Sequence, residues 1–147
     1  MHIDLKFRNL EAKRFSTVAG GPVNVHNNST LTKVSKMNGR LSVNFVFSCN
    51  YEPSIGLIRI EGDLFLSDSK ENIDGAIKVW ERSGRKSLPT DMAEKVHNVI
   101  FSSCIVEAVI LSKEVQLPAP IPTPSVSLDK KFYKDPTSDE ETKSYIR

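Results

Sequence analysis

Residues 38–51 read NGRLSVNFVFSCNY, and this stretch decides the fold class. Every second residue from Leu41 to Tyr51 is apolar or cysteine, an alternation typical of a strand with one buried face. The preceding Asn38-Gly39 pair readily adopts the positive φ angles of a two-residue type I′ turn. The sequence therefore predicts a β-hairpin whose second arm carries a strongly apolar face that needs a cover.

Further strands lie on both sides of this hairpin. Ile3, Leu5 and Phe7 alternate with polar residues, which predicts a first strand that runs toward Phe15 and turns Phe7 and Phe15 inward. A turn is predicted at Gly20-Gly21-Pro22. The polar run 26–30 then interrupts an apolar pattern, so we expect a strand, an irregular crossing or bulge, and a second strand. After Pro53 and Gly56, residues 57–66 alternate again and predict one more strand.

Two helices follow, because the apolar period changes from two to about 3.6 after Ser67. Ile73, Ile77 and Trp80 predict a helix over residues 70–82, capped by Ser67 or Ser69. A longer helix opens at residues 89–91. Its apolar stripe is predicted to cover the sheet and contains Met92, Val96, Val99, Ile100, Ser103, Cys104, Val106, Ile110 and Leu111. The predicted fold is α+β: an antiparallel sheet of about four or five strands, packed by one short and one long C-terminal helix.

Residues 1–128 are predicted to form a single domain that includes the proline-rich segment 117–124. Its four prolines stand at every second position, which excludes a helix and favours an extended conformation. This segment is ordered only if it docks, and Leu117 and Ile121 are the candidate anchors. Residues 129–147 carry balanced charges and few apolar groups, so they are predicted to be a flexible tail.

Composition and charge restrict the function classes. Twenty Lys and Arg residues against eighteen Asp and Glu residues leave a net charge of +2, too small for a dedicated polyanion-binding protein. The apolar stretch from Val99 to Leu111 is broken by Glu107, so no membrane span is expected. The first residues alternate charge with apolar groups, unlike a secretory signal. We therefore expect a cytoplasmic protein.

No catalytic or metal-binding signature stands out, so neither enzyme activity nor a cofactor is predicted. Cys49 and Cys104 lack CxxC spacing and are interpreted as buried thiols, with a single disulfide as the alternative. His97 and Cys104 lie about two helical turns apart, too far to act as base and nucleophile. Glu61 and Asp63 share one strand face, where they are either an acid and base pair or solvated charges.

Two polar features leave binding roles open. The run 26–30, HNNST, is either a binding loop or an irregular strand. Basic residues cluster near the first strand and alternate with Phe7 and Phe15. This cluster is either a nucleic-acid face or the charged protection of an edge strand, and it consists of Lys6, Arg8, Lys13 and Arg14.

The order of the predicted elements resembles the SecB-like chaperone fold. The most specific stretch is residues 93–122, AEKVHNVIFSSCIVEAVILSKEVQLPAPIP, a long helix followed by an extended Leu-Pro segment. Together with residues 24–34, NVHNNSTLTKV, and 43–62, VNFVFSCNYEPSIGLIRIEG, this ending is similar to small archaeal proteins of unassigned function.

The resemblance implies exposed apolar grooves that hold non-native polypeptide without chemistry, in a protein that forms homo-oligomers. It implies candidate groove or interface residues, which are Phe45, Phe47, Tyr51, Trp80 and Ile121. Phe45 and Phe47 also have an alternative interpretation as core residues. The bacterial family is strongly acidic and ends in a zinc-binding tail for the translocation motor; this chain is slightly basic, and its tail contains neither Cys nor His.

Three function hypotheses follow. The leading one is a non-enzymatic, SecB-like binding protein for unfolded or nascent chains. The second is a ribosome- or RNA-associated module, suggested by the basic first strand and the charged tail; its signature is co-sedimentation with ribosomes that falls steeply with salt. The third is a small-ligand-binding protein, since a sheet covered by helices can enclose a pocket.

Overall fold

The computed structural model describes residues 1–16 and 22–121, which form a four-stranded antiparallel sheet and two helices. The strands are β1 (His2–Arg14), β2 (Asn24–Met37), β3 (Arg40–Glu52) and β4 (Gly56–Ser67), and the helices are α1 (Lys70–Arg82) and α2 (Thr90–Glu114). The strand order is β1-β4-β3-β2, so β1 and β2 are the edges. This confirms the α+β class and a long second helix. The Gly20-Gly21 turn and residues 122–147, including the predicted tail, lie outside the described residues.

The hairpin between β2 and β3 forms as its sequence predicts. Asn38 and Gly39 have φ angles of 53° and 77°, and they connect the paired residues Met37 and Arg40. Alternate side chains of β3 then point to one face of the sheet, the inner face, which both helices cover. The same parity continues on β4. Ten inner-face residues of the two central strands are at most 1% exposed: Leu41, Val43, Phe45, Phe47, Cys49, Tyr51, Ile58, Ile60, Leu64 and Leu66.

The prediction that Phe7 and Phe15 both turn into the core is wrong. A β-bulge at Arg8 shifts the register, because Phe7 pairs with Gly62 whereas Asn9 pairs with Glu61. The extra residue reverses the side-chain parity of the rest of β1, so Leu10 takes the inner side instead. Phe7 stays on the inner side but is 37% exposed, because β1 is an edge strand; Phe15, beyond the strand, is 59% exposed.

The polar run 26–30 does not break β2: of the predicted crossing or bulge, the strand has no crossing and has a bulge-like register shift just beyond the run. The strand is continuous, and its register shifts between Leu31 and Lys33. Asn27 and Ser29 fall on the inner side of this edge strand, where each bonds a group packed above the sheet: the carbonyl of Pro120 at 3.0 Å and the His97 ring at 2.8 Å. Polar residues therefore suit these inner positions.

The end of α2 turns the chain back over the sheet. Gln116 adopts φ = 59°, and the Leu117 N–H donates to the carbonyl of Ser112 at 2.8 Å, which completes a Schellman motif. Residues 117–121, here called the strap, then cross the inner face. Leu117 is buried against Gly56, whereas Ile121 is 42% exposed. Of the two predicted anchors, only Leu117 is buried.

Candidate functional site

Four of the five residues that the resemblance singles out lie in the core. Phe45, Phe47 and Tyr51 cover the inner face of β3, and Trp80 packs from the last turn of α1; none is more than 1% exposed. For Phe45 and Phe47 this burial matches the alternative interpretation as core residues. A bound polypeptide reaches these side chains only if a helix or the strap moves away. Ile121, at the end of the strap, is accessible without such a movement.

Three of the exposed large apolar side chains of the described chain lie on α2. The fully buried side chains of α2 recur every four residues, and this buried row consists of Met92, Val96, Ile100, Cys104, Ala108 and Ser112. Four residues turn a helix about 40° beyond one full turn, so the row winds around α2 as the helix crosses all four strands. Val106 and Ile110 therefore lie on the outer side of α2, although the predicted stripe included them.

Three large side chains of α2 are exposed. Val106 (58% exposed) and Ile110 (50% exposed) are neighbours at four-residue spacing on the outer side, and Phe101, on the flank of the helix, is 44% exposed. We call these three residues the α2 apolar patch. The sequence contains a signal for it, because the second half of α2 holds more apolar residues than one helix face can bury. Periodicity alone could not assign them to the inner or the outer side.

Phe101 connects the α2 apolar patch to the core. Its ring meets the ring of Phe47 edge-on, with the centroids 5.7 Å apart and the planes at 81°. This is a favourable geometry for an aromatic pair. One edge of Phe101 is thus fixed by the core while the remainder faces outward.

By length and composition alone, α2 is also apolar enough to cross a membrane. Core helices of folded domains share this property. In this fold the buried row of α2 packs on the inner face of the sheet, which accounts for part of its apolar character.

The outer face of the sheet is polar and ion-paired. Arg8 bonds Asp63 at 2.8 Å, and Arg59 bonds Glu61 at 2.9 Å. The hydrogen bond from Arg59 lowers the pKa of Glu61, so this carboxylate stays ionised. In the basic cluster of the first strand, Arg8 is thus paired, and Lys13 pairs with Glu11 at 2.9 Å. These pairs favour the interpretation of that cluster as charged edge protection.

The two cysteines are unreactive as thiols in this fold. Both are free and buried, and burial raises the pKa of each thiol to about 12. A thiol with such a pKa remains protonated near neutral pH, whereas nucleophiles and metal ligands are thiolates. Within residues 1–16 and 22–121, no group of three His, Cys, Asp or Glu side chains is arranged to hold a metal ion.

His97 ties α2 to the edge strand β2. Its Nδ1 lies 2.8 Å from the hydroxyl of Ser29, and burial lowers the pKa of the imidazole. A neutral ring can accept the hydroxyl proton, whereas a protonated ring cannot. Sequence reasoning considered His97 only with Cys104 and missed Ser29, which is distant along the chain.

We expect the stability of the protein to fall as the pH drops below about 6.5, the pKa of histidine in an unfolded chain. Because burial lowers the pKa of His97 in the folded state, the unfolded chain binds its proton more readily. The stabilisation is complete above that pH and is lost as the pH falls toward the lower, folded-state pKa. Urea denaturation at pH 7.5 and 5.5 measures the effect. The variant His97→Gln should lose much less stability over this interval; an equal loss in both proteins would assign the effect to other groups.

Comparison of the chain with protein-family models, with curated proteins and with solved structures found no match.

Proposed function

We propose that this chain is a non-enzymatic, chaperone-like protein of the cytoplasm that binds unfolded or nascent polypeptide on the α2 apolar patch. The observation that carries the proposal is the exposure of Phe101, Val106 and Ile110 on α2, a helix whose buried row already covers the sheet. Large apolar surfaces that the fold itself does not bury mark sites of interaction.

The size of the α2 apolar patch suits weak and unselective binding. Three large side chains about half exposed present on the order of 300 Å² of apolar surface, the lower end for functional patches. At about 25 cal/mol per Å², burying this area contributes roughly 7 kcal/mol before the entropy cost of association is subtracted. One copy would therefore hold a segment only transiently. A homo-oligomer that presents several such patches would hold a long chain through many weak contacts.

The proposal also draws on the resemblance to the SecB-like fold. The order of four antiparallel strands, a short helix and a long helix with an extended Leu-Pro ending agrees with the arrangement that the resemblance implies. The buried, unreactive thiols suit a reducing compartment. We propose on these grounds that the protein is SecB-like and self-associates.

The test is the suppression of aggregation of reduced insulin B chain, followed by light scattering without ATP. We expect the protein to suppress aggregation at or below equimolar amounts and to have a mass in solution above the 16.4 kDa of one chain. The double variant Val106→Lys and Ile110→Lys should suppress aggregation at least about fivefold less well, because two charges replace two of the three apolar side chains.

A matched control uses the same helix and the same charge. Asn98 and Ser102 precede Val106 and Ile110 at four-residue spacing on the outer side of α2, and both are exposed. The double variant Asn98→Lys and Ser102→Lys adds two positive charges without removing an apolar group, so it should retain most of the activity. Equal loss in both variants, or no suppression by the unmodified protein at equimolar client, would contradict the proposal.

A further inference from the structure

The strap is held by side chains that belong to the sheet. The Tyr51 hydroxyl donates to the carbonyl of Pro118 at 2.6 Å, and the Asn27 amide donates to the carbonyl of Pro120 at 3.0 Å. The two accepting carbonyls are two residues apart, and both face the sheet. Tyr51 lies on β3 and Asn27 on the edge strand β2, so the two donors keep their spacing without the strap.

A third strand provides an apolar socket. A Cβ atom placed on Gly56 of β4 would lie 2.9 and 3.0 Å from the two methyl groups of Leu117. The glycine therefore leaves the space that the leucine fills, and Leu117 is buried to 6% exposure. The socket and the two donors follow one another across β4, β3 and β2, in the order in which the strap presents Leu117, Pro118 and Pro120.

This arrangement matches the chemistry of a proline-rich ligand. Proline has no N–H to donate, so a segment with prolines at alternate positions offers mainly carbonyl acceptors. In both hydrogen bonds between the described sheet and the strap, the sheet side chain is the donor. Prolines also restrict the free segment to extended conformations, which lowers the entropy cost of binding.

The strap is joined to α2 under a local penalty. Gln116, the residue that lets the chain turn back, has a positive φ angle, which is unfavourable for a residue other than glycine. Beside the strap lies a depression of about 340 Å³, lined by residues 118–121 and by Val23, Val25 and Asn27. The docked strap thus keeps Gln116 in an unfavourable conformation and leaves part of its groove unfilled.

We propose that the inner-face groove of Gly56, Tyr51 and Asn27 is a binding site for Leu-Pro-x-Pro segments. Residues 117–121 occupy it in cis, and a Leu-Pro-x-Pro segment of another polypeptide occupies it when the strap is displaced. The site is separate from the α2 apolar patch and does not depend on the proposed holding function.

The test uses the full chain with residues 117–121 replaced by Gly-Ser-Gly-Ser-Gly, and a fluorescein-labelled peptide of residues 115–121, Val-Gln-Leu-Pro-Ala-Pro-Ile. Fluorescence polarisation should show saturable binding to this chain, and at least about tenfold weaker binding to the intact chain, whose own strap competes. Adding Tyr51→Phe should weaken binding to the strap-replaced chain about tenfold, because one buried hydrogen bond is lost.

The controls decide between specific recognition and apolar adhesion. A peptide with Leu replaced by Ser, and one with both prolines replaced by Ala, should each bind about tenfold or more weakly. If the strap-replaced chain is unfolded, the unmodified peptide at millimolar concentration should restore its near-ultraviolet circular dichroism. Absence of binding to a folded strap-replaced chain, absence of restoration of an unfolded one, or equal binding of all peptides would overturn the proposal. The Val106→Lys, Ile110→Lys variant with the strap replaced should bind the peptide normally, which separates this site from the α2 apolar patch.

Discussion

Replacing Phe47 with alanine is expected to lower the free energy of unfolding by about 3–5 kcal/mol. Phe47 lies in the middle of β3, a central strand, and is completely buried. The substitution removes the buried ring, leaves a cavity under α2 and deprives Phe101 of its edge-on partner. Urea denaturation followed by tryptophan fluorescence measures the loss, since Trp80 lies in the same core cluster.

The matched control is Phe101→Ala, which removes an identical ring from the other side of the same contact. Because Phe101 is 44% exposed, this variant should lose clearly less stability than Phe47→Ala. The sum of the two single losses of unfolding free energy should exceed the loss in the double variant by about 0.5–1.5 kcal/mol, the energy of the aromatic contact. An unchanged melting temperature of Phe47→Ala together with a loss of polypeptide binding would instead place Phe47 on the binding surface.

Replacing Gly62 with alanine is expected to destabilise the protein by about 3 kcal/mol, at the upper end for overpacked sites. The added Cβ would clash with the backbone carbonyl of Lys6 and would lie 2.6 Å from the ring of Phe45. The carbonyl belongs to the neighbouring strand β1, next to the bulge at Arg8, and the ring is fully buried. Neither can move without disturbing the β1–β4 pairing or the core.

Gly75→Ala is the control for this prediction. Gly75 lies within α1, and a Cβ atom there would meet no atom within 4 Å. Alanine favours a helix over glycine by about 1 kcal/mol, so this variant should be more stable than the original. Thermal unfolding of the two variants should thus shift in opposite directions, and a Gly62→Ala protein as stable as the original would refute the close packing at β4.

The local elements could be predicted because each depends on neighbours in sequence. The alternation over residues 41–51 and the Asn38-Gly39 turn are sufficient for the hairpin, since both positive φ angles are permitted by those residues. The helix predicted over residues 70–82 coincides with α1, and its cap is Ser69, whose side chain accepts from the Asn72 N–H at 3.2 Å. A helix cap and a 3.6-residue period depend only on residues within one or two helical turns, so both can be recognised in the sequence.

The candidate sites could be predicted only in part. The apolar content of α2 was visible, but the outward position of Val106 and Ile110 depends on how the helix crosses a twisted sheet. The bulge at Arg8, which turns Phe15 away from the core, arises from the pairing of β1 with a strand some fifty residues away. Ser29 and His97, which share a hydrogen bond, are likewise far apart along the chain.

The sequence by itself determined that this protein builds an antiparallel sheet with one apolar face, two helices to cover it, and a proline-rich segment after the second helix. Only the tertiary structure decided that Phe45, Phe47, Tyr51 and Trp80 lie inside, that the α2 apolar patch lies outside, and that the strap docks on Tyr51 and Asn27. The physical reason is that the apolar pattern of the sequence shows how many apolar residues an element has. Which of them are buried depends on the area that its partners can cover.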